Sequence, residues 1–136
     1  MTPNFNEGDT LYTYAGEPIY EVIYDTGGID TLDLSAYSLN ITLDLQPGTV
    51  SEIGSKELVW KEGVDHGGFD VWAFSGFPIS ITANTIIENA ITGSGNDTIT
   101  CNVAVNTINC GPGDDTVNAI GAGDTVYGGL GNDTFF

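Results

Sequence analysis

Near the end of this chain one polar position recurs every nine residues, occupied by Asp97, Asn106, Asp115, Asp124 and Asp133. Threonine follows each time (Thr98, Thr107, Thr116, Thr125, Thr134), and an apolar residue comes next (Ile99, Ile108, Val117, Val126, Phe135). Carboxylates in such a ladder repel one another unless a cation lies between them. The glycine-rich residues ahead of each carboxylate expose backbone carbonyls, so the chemistry on offer is oxygen coordination of a hard cation. Calcium takes about six to eight oxygens, carboxylate and carbonyl together. One loop supplies about half of that set, and two stacked loops supply all of it. Catalysis has no comparable constellation. The acidic residues form a ladder, not an isolated pair in a cleft. The single histidine, His66, has no H-E-x-x-H motif around it, and a catalytic zinc needs about three protein ligands and an open position.

The elements that must place these groups are short strands joined by tight turns. From Thr92 the chain divides into five nonapeptides: TGSGNDTIT, CNVAVNTIN, CGPGDDTVN, AIGAGDTVY and GGLGNDTFF. This is the pattern G-G-x-G-x-D-x-U-x of calcium-binding parallel β-helices, in which a turn precedes a strand whose apolar side chain points inward. Two nonapeptides complete a coil, so loops 18 residues apart stack on one edge. The first, third and fifth repeats keep glycine at their second and fourth positions and aspartate at the sixth. The second and fourth are degraded, with Asn102, Ala104 and Asn106, then Ile120, Ala122 and Asp124. The expectation is one well-metallated edge and one weak or empty edge. The competing reading is a ladder of Gly-Asn-Asp turns without metal.

Composition agrees. The chain has 136 residues, 19 of them acidic, against Lys56, Lys61 and no arginine, for a formal charge of −17. Such a surface has nothing to neutralise phosphates, which argues against nucleic acid, and an anionic membrane would repel it. Self-repulsion of this size opposes compaction, and with so few side-chain cations metal ions are the natural offset. No apolar run approaches the roughly 20 residues of a spanning helix, and no signal-peptide pattern opens the chain. The 19 glycines, mixed with Asp, Asn and Thr, code for turns, and no helical apolar periodicity is present. The predicted fold is all-β: a parallel β-roll over residues 92–136 behind an N-terminal β cap over 1–91, in one continuous domain.

The repeats resemble RTX (repeat-in-toxin) nonapeptides, and the resemblance continues upstream. EVIYDTGGIDTLDLSAYS, ITLDLQPGTVSEIG and TIIENAITGSGND occur in the order found in the C-terminal domain of serralysin-type metalloproteases. In that family, calcium is bound by residues two, four and six of one loop and residues one, three and six of the loop 18 further on. Carried over, the resemblance implies one site from Gly93, Gly95 and Asp97 with Cys110, Pro112 and Asp115. A second joins Gly111, Gly113 and Asp115 to Gly128, Leu130 and Asp133. A weaker site on the other edge joins Asn102, Ala104 and Asn106 to Ala119, Gly121 and Asp124. In the cap it implies calcium at Asp25, Gly27, Gly28 and Asp30, at Asn6, Gly8 and Thr10, and at Glu88. The family commonly has a basic residue where Asn6 stands, and a threonine where Ile86 stands. The resemblance further implies a secreted, non-catalytic module, exported by a type I pathway, whose parent protein carries a separate enzyme domain. The ending Asp-Thr-Phe-Phe resembles the acidic-then-apolar ends of type I secretion signals. The loop at Gly129, Gly131 and Asp133 has no partner loop after it, as in a roll cut short or unusually brief.

Residues 55–78 depart most from the family and hold both tryptophans, Trp60 and Trp72. Their first reading is a β-hairpin covering an open end of the roll. The alternative is an aromatic surface for a glycan, cell surface or protein partner. Within them Asp65-His66-Gly67-Gly68-Phe69-Asp70 repeats the form of Asp25–Asp30, which makes Asp65 and Asp70 candidate ligands of a further calcium ion. A Gly-Gly hairpin turn is the alternative. Cys101 and Cys110 open neighbouring repeats on opposite edges and are read as free thiols, since a disulfide needs Cα atoms within about 7 Å. A bridge across the thin roll is the alternative should both point inward.

Overall fold

The structure is a computed structural model and describes residues 4–6, 8–14, 21–53, 56–59, 71–74 and 77–136. Fifteen short strands and no helix form among the described residues. In chain order they are β1 (Asn4–Asn6), β2 (Leu11–Thr13), β3 (Glu21–Asp25), β4 (Thr31–Asp33), β5 (Ile41–Asp44), β6 (Val50–Ile53), β7 (Lys56–Val59) and β8 (Val71–Phe74). There follow β9 (Phe77–Ile81), β10 (Asn89–Ile91), β11 (Thr98–Thr100), β12 (Thr107–Asn109), β13 (Thr116–Asn118), β14 (Thr125–Tyr127) and β15 (Thr134–Phe135).

Each of β11 to β15 is the Thr-apolar-x ending of one nonapeptide, and alternate repeats enter different sheets. The first, third and fifth run parallel as β11, β13 and β15, with Thr98 beside Thr116 and Thr116 beside Thr134. The second and fourth run parallel as β12 and β14, with Thr107 beside Thr125. Thus the 18-residue register is a pairing register. Because side chains alternate between faces, it sends every eighth-position residue inward. Ile99, Ile108 and Val117 are fully buried, and each such burial is worth about 1.5–3 kcal/mol. At the end of the stack Val126 is only partly buried and Phe135 is 46 % exposed.

Both sheets run on into the cap without a break at Thr92. One has the order β14-β12-β10-β4-β2, and the other β1-β3-β9-β6-β5-β11-β13-β15. Leu32, Leu43 and Ala90 continue the inward columns and share one core with Ile99 and Ile108. The departure from parallel pairing is β6, which lies antiparallel between β5 and β9. In the divergent segment, β7 and β8 pair antiparallel as a hairpin. The candidate ligands Asp65 and Asp70, together with Trp60, lie outside the described residues.

Candidate metal centre

The first, third and fifth loops stack so closely that backbone faces backbone. Gly113 (φ 136°) and Gly131 (φ 125°) take conformations that side chains rarely adopt, and a Cβ on either would run into the carbonyl of the glycine 18 residues earlier. Two hydrogen-bonded ladders climb this edge. On the outer one, Asn96 N–H donates to Asn40 Oδ1 (2.8 Å), Asp114 N–H to Asn96 Oδ1 (2.9 Å) and Asn132 N–H to Asp114 Oδ1 (2.9 Å). On the inner one, Ile41 N–H donates to Asp97 Oδ1 (2.9 Å), Asp97 N–H to Asp115 Oδ1 (2.7 Å) and Asp115 N–H to Asp133 Oδ1 (3.1 Å).

The inner ladder uses one oxygen of each carboxylate and leaves the other over. Oδ2 of Asp97 and Oδ2 of Asp115 are buried and accept no hydrogen bond. The nearby Thr92 hydroxyl donates to the Cys110 carbonyl at 2.9 Å. Burying a charged oxygen without a partner costs several kcal/mol, and this chain has two lysines to offset 19 acids. Burial accordingly pushes Asp97 above the usual carboxylate range, against the pull of the Ile41 N–H and, more weakly, of the Thr92 hydroxyl, which lies near the carboxylate but makes its hydrogen bond to Cys110. Asp115 is pushed up to about 6 by burial, with repulsion from Asp97, Asp133 and Asp114 adding to it and the Asp97 N–H opposing. Among the described residues no three carboxylate, thiol or imidazole side chains converge, so any ion here takes most of its ligands from the backbone. These residues fit calcium: a surplus of buried oxygen, a column of carbonyls, and glycine where backbones approach. Two of the expected carbonyls already accept a hydrogen bond, Cys110 from the Thr92 hydroxyl and Leu130 from Gly113 N–H at 2.8 Å. A carbonyl keeps a second lone pair for a cation.

The stack begins one loop earlier than the repeats suggest. Residues 37–41 lie beneath the first repeat, with β5 beside β11 (Thr42 with Thr98, Leu43 with Ile99). Asn40 starts the outer ladder, but Ile41 stands where the inner ladder has aspartate, so this loop offers no carboxylate.

On the other edge the sixth-position column runs Thr10, Asp30, Glu88, Asn106, Asp124, as the strand registers require. Its lower part resembles the carboxylate edge. Thr10 N–H donates to Asp30 Oδ1 (2.9 Å), Asp30 N–H to Glu88 Oε2 (2.8 Å) and Ile29 N–H to Asp9 Oδ1 (2.8 Å). Gly28 packs on Gly8, and Thr10 Oγ1 donates to the Gly8 carbonyl. Asp30 is 1 % exposed and is pushed up to about 6 by burial, with the Thr10 N–H opposing and Asp25, Glu88 and Asp9 repelling. A cavity of 200 Å³ opens beside Asp25, Gly27, Gly28 and Glu88, and Ile86 also lines it. Asn6 lies in β1 opposite Asp25. Sequence reasoning did not single out the two residues that hold Asp25: the Tyr12 hydroxyl donates to its Oδ2, and Thr85 Oγ1 accepts its N–H at 2.9 Å.

In the upper part of this edge, Asn102 and Asn106 are joined to each other, and Asn106 to Asp124 (Asn106 N–H to Asp124 Oδ1, 2.7 Å). Ala119 takes a φ of 60°. Cys101 and Cys110 are both free and buried. Burial pushes the Cys101 thiol up to about 11 and the Cys110 thiol up to about 12, with nearby aspartates adding to both.

The family model described as peptidase M10 serralysin C terminal matches residues 10–136. Serralysin G of Dickeya chrysanthemi is 35 % identical over 96 residues, which is 69 % of this chain and 16 % of that protein. Serralysin of Proteus mirabilis is 34 % identical over 98 residues, 71 % of this chain and 16 % of its own length. Serralysin B of Dickeya chrysanthemi is 33 % identical over 105 residues, 68 % of this chain and 18 % of its length. The chain therefore spans less than a fifth of the curated relatives it matches.

Proposed function

We propose, from the premise that this chain belongs to the peptidase M10 serralysin C-terminal family, that it is a calcium-binding module whose repeats fold as a parallel β-roll when calcium is bound. It acts in the folding, export and stability of a secreted parent protein and carries no catalytic machinery of its own. The observation that carries this reading is the pair of buried, unpartnered oxygens on Asp97 and Asp115 in a chain so poor in cations.

One site is held by Gly93, Gly95 and Asp97 with Cys110, Pro112 and Asp115, and the next by Gly111, Gly113 and Asp115 with Gly128, Leu130 and Asp133. The cap contributes Gly8, Thr10, Asp25, Gly27, Gly28, Asp30 and Glu88, with Asn6 beside them. Bound calcium supplies positive charge to carboxylates that have none. The chain's own part is to hold each aspartate by one oxygen and to keep the stacked carbonyls in column. Without an ion, repulsion along the aspartate column and the entropy of its glycine turns favour opening from that edge, which suits export in a less folded state. An ion that binds only the folded form adds about 2.7 kcal/mol per site at 100 times its Kd, so two such sites together reach the lower end of the roughly 5–15 kcal/mol that a domain has in all. Extracellular calcium modules bind with Kd on the order of 10⁻⁴–10⁻³ M. The enzyme domain of the parent protein is a separate, covalently linked partner.

The test is a calcium titration of chelated protein followed by far-ultraviolet circular dichroism. The expected result is a cooperative gain of β signal at submillimolar to millimolar calcium. The same β content in excess chelator would overturn the reading.

A further inference from the structure

Resting on the calcium reading of the aspartate edge, we infer that Asn102 and Asn106 exclude calcium from the opposite edge at the second repeat, and there tie the repeats to the cap without metal. The family scheme places a calcium site between the second and fourth loops. The residues this chain has there are occupied differently.

Asn102 is 8 % exposed and Asn106 fully buried. Asn102 donates through Nδ2 to two cap carbonyls, Leu45 at 3.2 Å and Ile87 at 2.7 Å. Its Oδ1 accepts from Ala104 N–H at 3.0 Å and from Asn106 Nδ2 at 2.9 Å. Asn106 spends its second Nδ2 proton on the Glu88 carbonyl at 2.9 Å, and its Oδ1 accepts Asn102 N–H at 3.1 Å. The carbonyls around Asn102 fix which end of its amide is nitrogen. Every amide proton is used, and both amide oxygens are engaged.

Asp124, the one carboxylate of this site, is engaged as well. Its Oδ1 accepts Asn106 N–H and its Oδ2 accepts Gly121 N–H, each at 2.7 Å. On the aspartate edge the sixth side chain has one buried oxygen to spare. At Asn106 the atom facing the loop below is an N–H₂, which donates to the Glu88 carbonyl, and the remaining oxygen accepts Asn102 N–H. Asn102 Oδ1 has both lone pairs taken, and two N–H₂ groups put donor hydrogens among the cap carbonyls, so a calcium ion would have to turn both amides and break this network to gather its about six to eight oxygens. The neutral amides carry no mutual repulsion, so the network is complete in the absence of any ion.

The test is calorimetric calcium titration of the full chain and of three variants, with backbone hydrogen exchange in chelator. Asp124→Asn is expected to leave the number of bound ions unchanged, whereas Asp115→Asn lowers it. Asn106→Asp, which replaces the donor by a charged oxygen, is expected to add one ion and to speed exchange in chelator. In the unaltered chain with chelator, the N–H groups of Asn102, Ala104 and Asn106 exchange about tenfold or more slowly than those of Asp97 and Asp115. Loss of one ion in Asp124→Asn, or equal exchange at the two edges, would overturn the inference. If the unaltered chain bound no calcium at all, the calcium reading would fall, and the exchange pattern alone would then decide whether the amide network holds. Should Asn106→Asp fail to fold, Asp124→Asn and the exchange comparison suffice.

Discussion

The two edges of the repeat stack use the sixth position differently. On the edge of the first, third and fifth loops, Asp97 and Asp115 each hold the backbone of a neighbouring loop with one oxygen and bury the other without a partner. At the second loop Asn106 turns its amide nitrogen to the neighbouring loop and gives a proton to the Glu88 carbonyl, and its oxygen accepts Asn102 N–H, so no atom is left over. A buried negative oxygen needs a cation, whereas a buried amide needs a carbonyl, and the cap supplies one. The same nine-residue frame thus builds an edge with buried oxygens to spare and one whose polar groups are satisfied at the second loop. The difference also reaches the backbone. Val103 and Val105 stand exposed in the second loop, at 95 % and 62 %, where the other edge presents Ser94, Asn96 and the outer hydrogen-bonded ladder.

The sharpest way to break this comparison is to crowd the two edges in turn. Gly113→Ala places a Cβ at positive φ against the Gly95 carbonyl, and is expected to cost about 2–3 kcal/mol in calcium. Gly121→Ala on the other edge meets nothing nearer than Asp124 Oδ2 at 3.6 Å, and is expected to fall within about 0.5 kcal/mol of the parent. Urea midpoints at fixed calcium read both. Equal costs would mean that the close stacking seen on the aspartate edge is not the feature that sets it apart.

Much of this contrast was legible in the sequence. The recurrence of Asp-Thr-apolar gave the strand register, because in a parallel ladder a period in sequence becomes a column in space, and the loss of glycine at Asn102 and Ala104 marked the edge whose loops are built differently. Three features were not legible. The loop at residues 37–41 is separated from its stacking partner by 56 residues, and with Ile41 in the aspartate place it carries no ligand signature. The column Thr10, Asp30, Glu88 continues the even edge into the cap, but insertions of unequal length hide its period. The antiparallel strand β6 interrupts a sheet that is otherwise parallel, and nothing in V-S-E-I announces a direction. Periodic residues reveal themselves; a side chain whose role depends on a distant carbonyl, as Asn102 does on Leu45, does not.

A smaller effect separates the edges by pH. In chelator the folded-state pKa values of Asp97 and Asp115 are shifted upward, the latter to about 6, chiefly by burial. A carboxyl whose pKa is raised on folding favours the folded state most when protonated. Its contribution is fully present below the ordinary value near 4, and is lost as pH rises through about 6. The calcium-free protein is therefore expected to melt higher at pH 4 than at pH 7, a reversal of ordinary acid denaturation, and excess calcium should remove the difference at pH 7. Asp30 in the cap is shifted the same way, whereas Asn102 and Asn106 do not titrate. A melting temperature in chelator that does not change between pH 4 and pH 7 would show that the buried oxygens of Asp97 and Asp115 are not a burden on the metal-free fold.

The finest probe is already built into the chain, since each edge begins a repeat with a buried cysteine. Cys110 opens the third repeat on the aspartate edge, while Cys101 immediately precedes Asn102. Their thiols are raised to about 12 and about 11, so in the closed fold neither is ionised at pH 8 and neither should react readily with a thiol reagent. Labelling then reports opening. In calcium, Cys101→Ser and Cys110→Ser chains, each with one thiol left, are expected to label equally slowly. In chelator the thiol at Cys110 should be exposed first, because the loops beside it lose the ion that offsets Asp97 and Asp115. Cys101 should lag, held by the amide network that ties Asn102 to Leu45 and Ile87. Simultaneous labelling in chelator would mean that the two edges open as one unit, and that the difference between an oxygen and a nitrogen at the sixth position sets which ions bind but not which part of the fold survives without them.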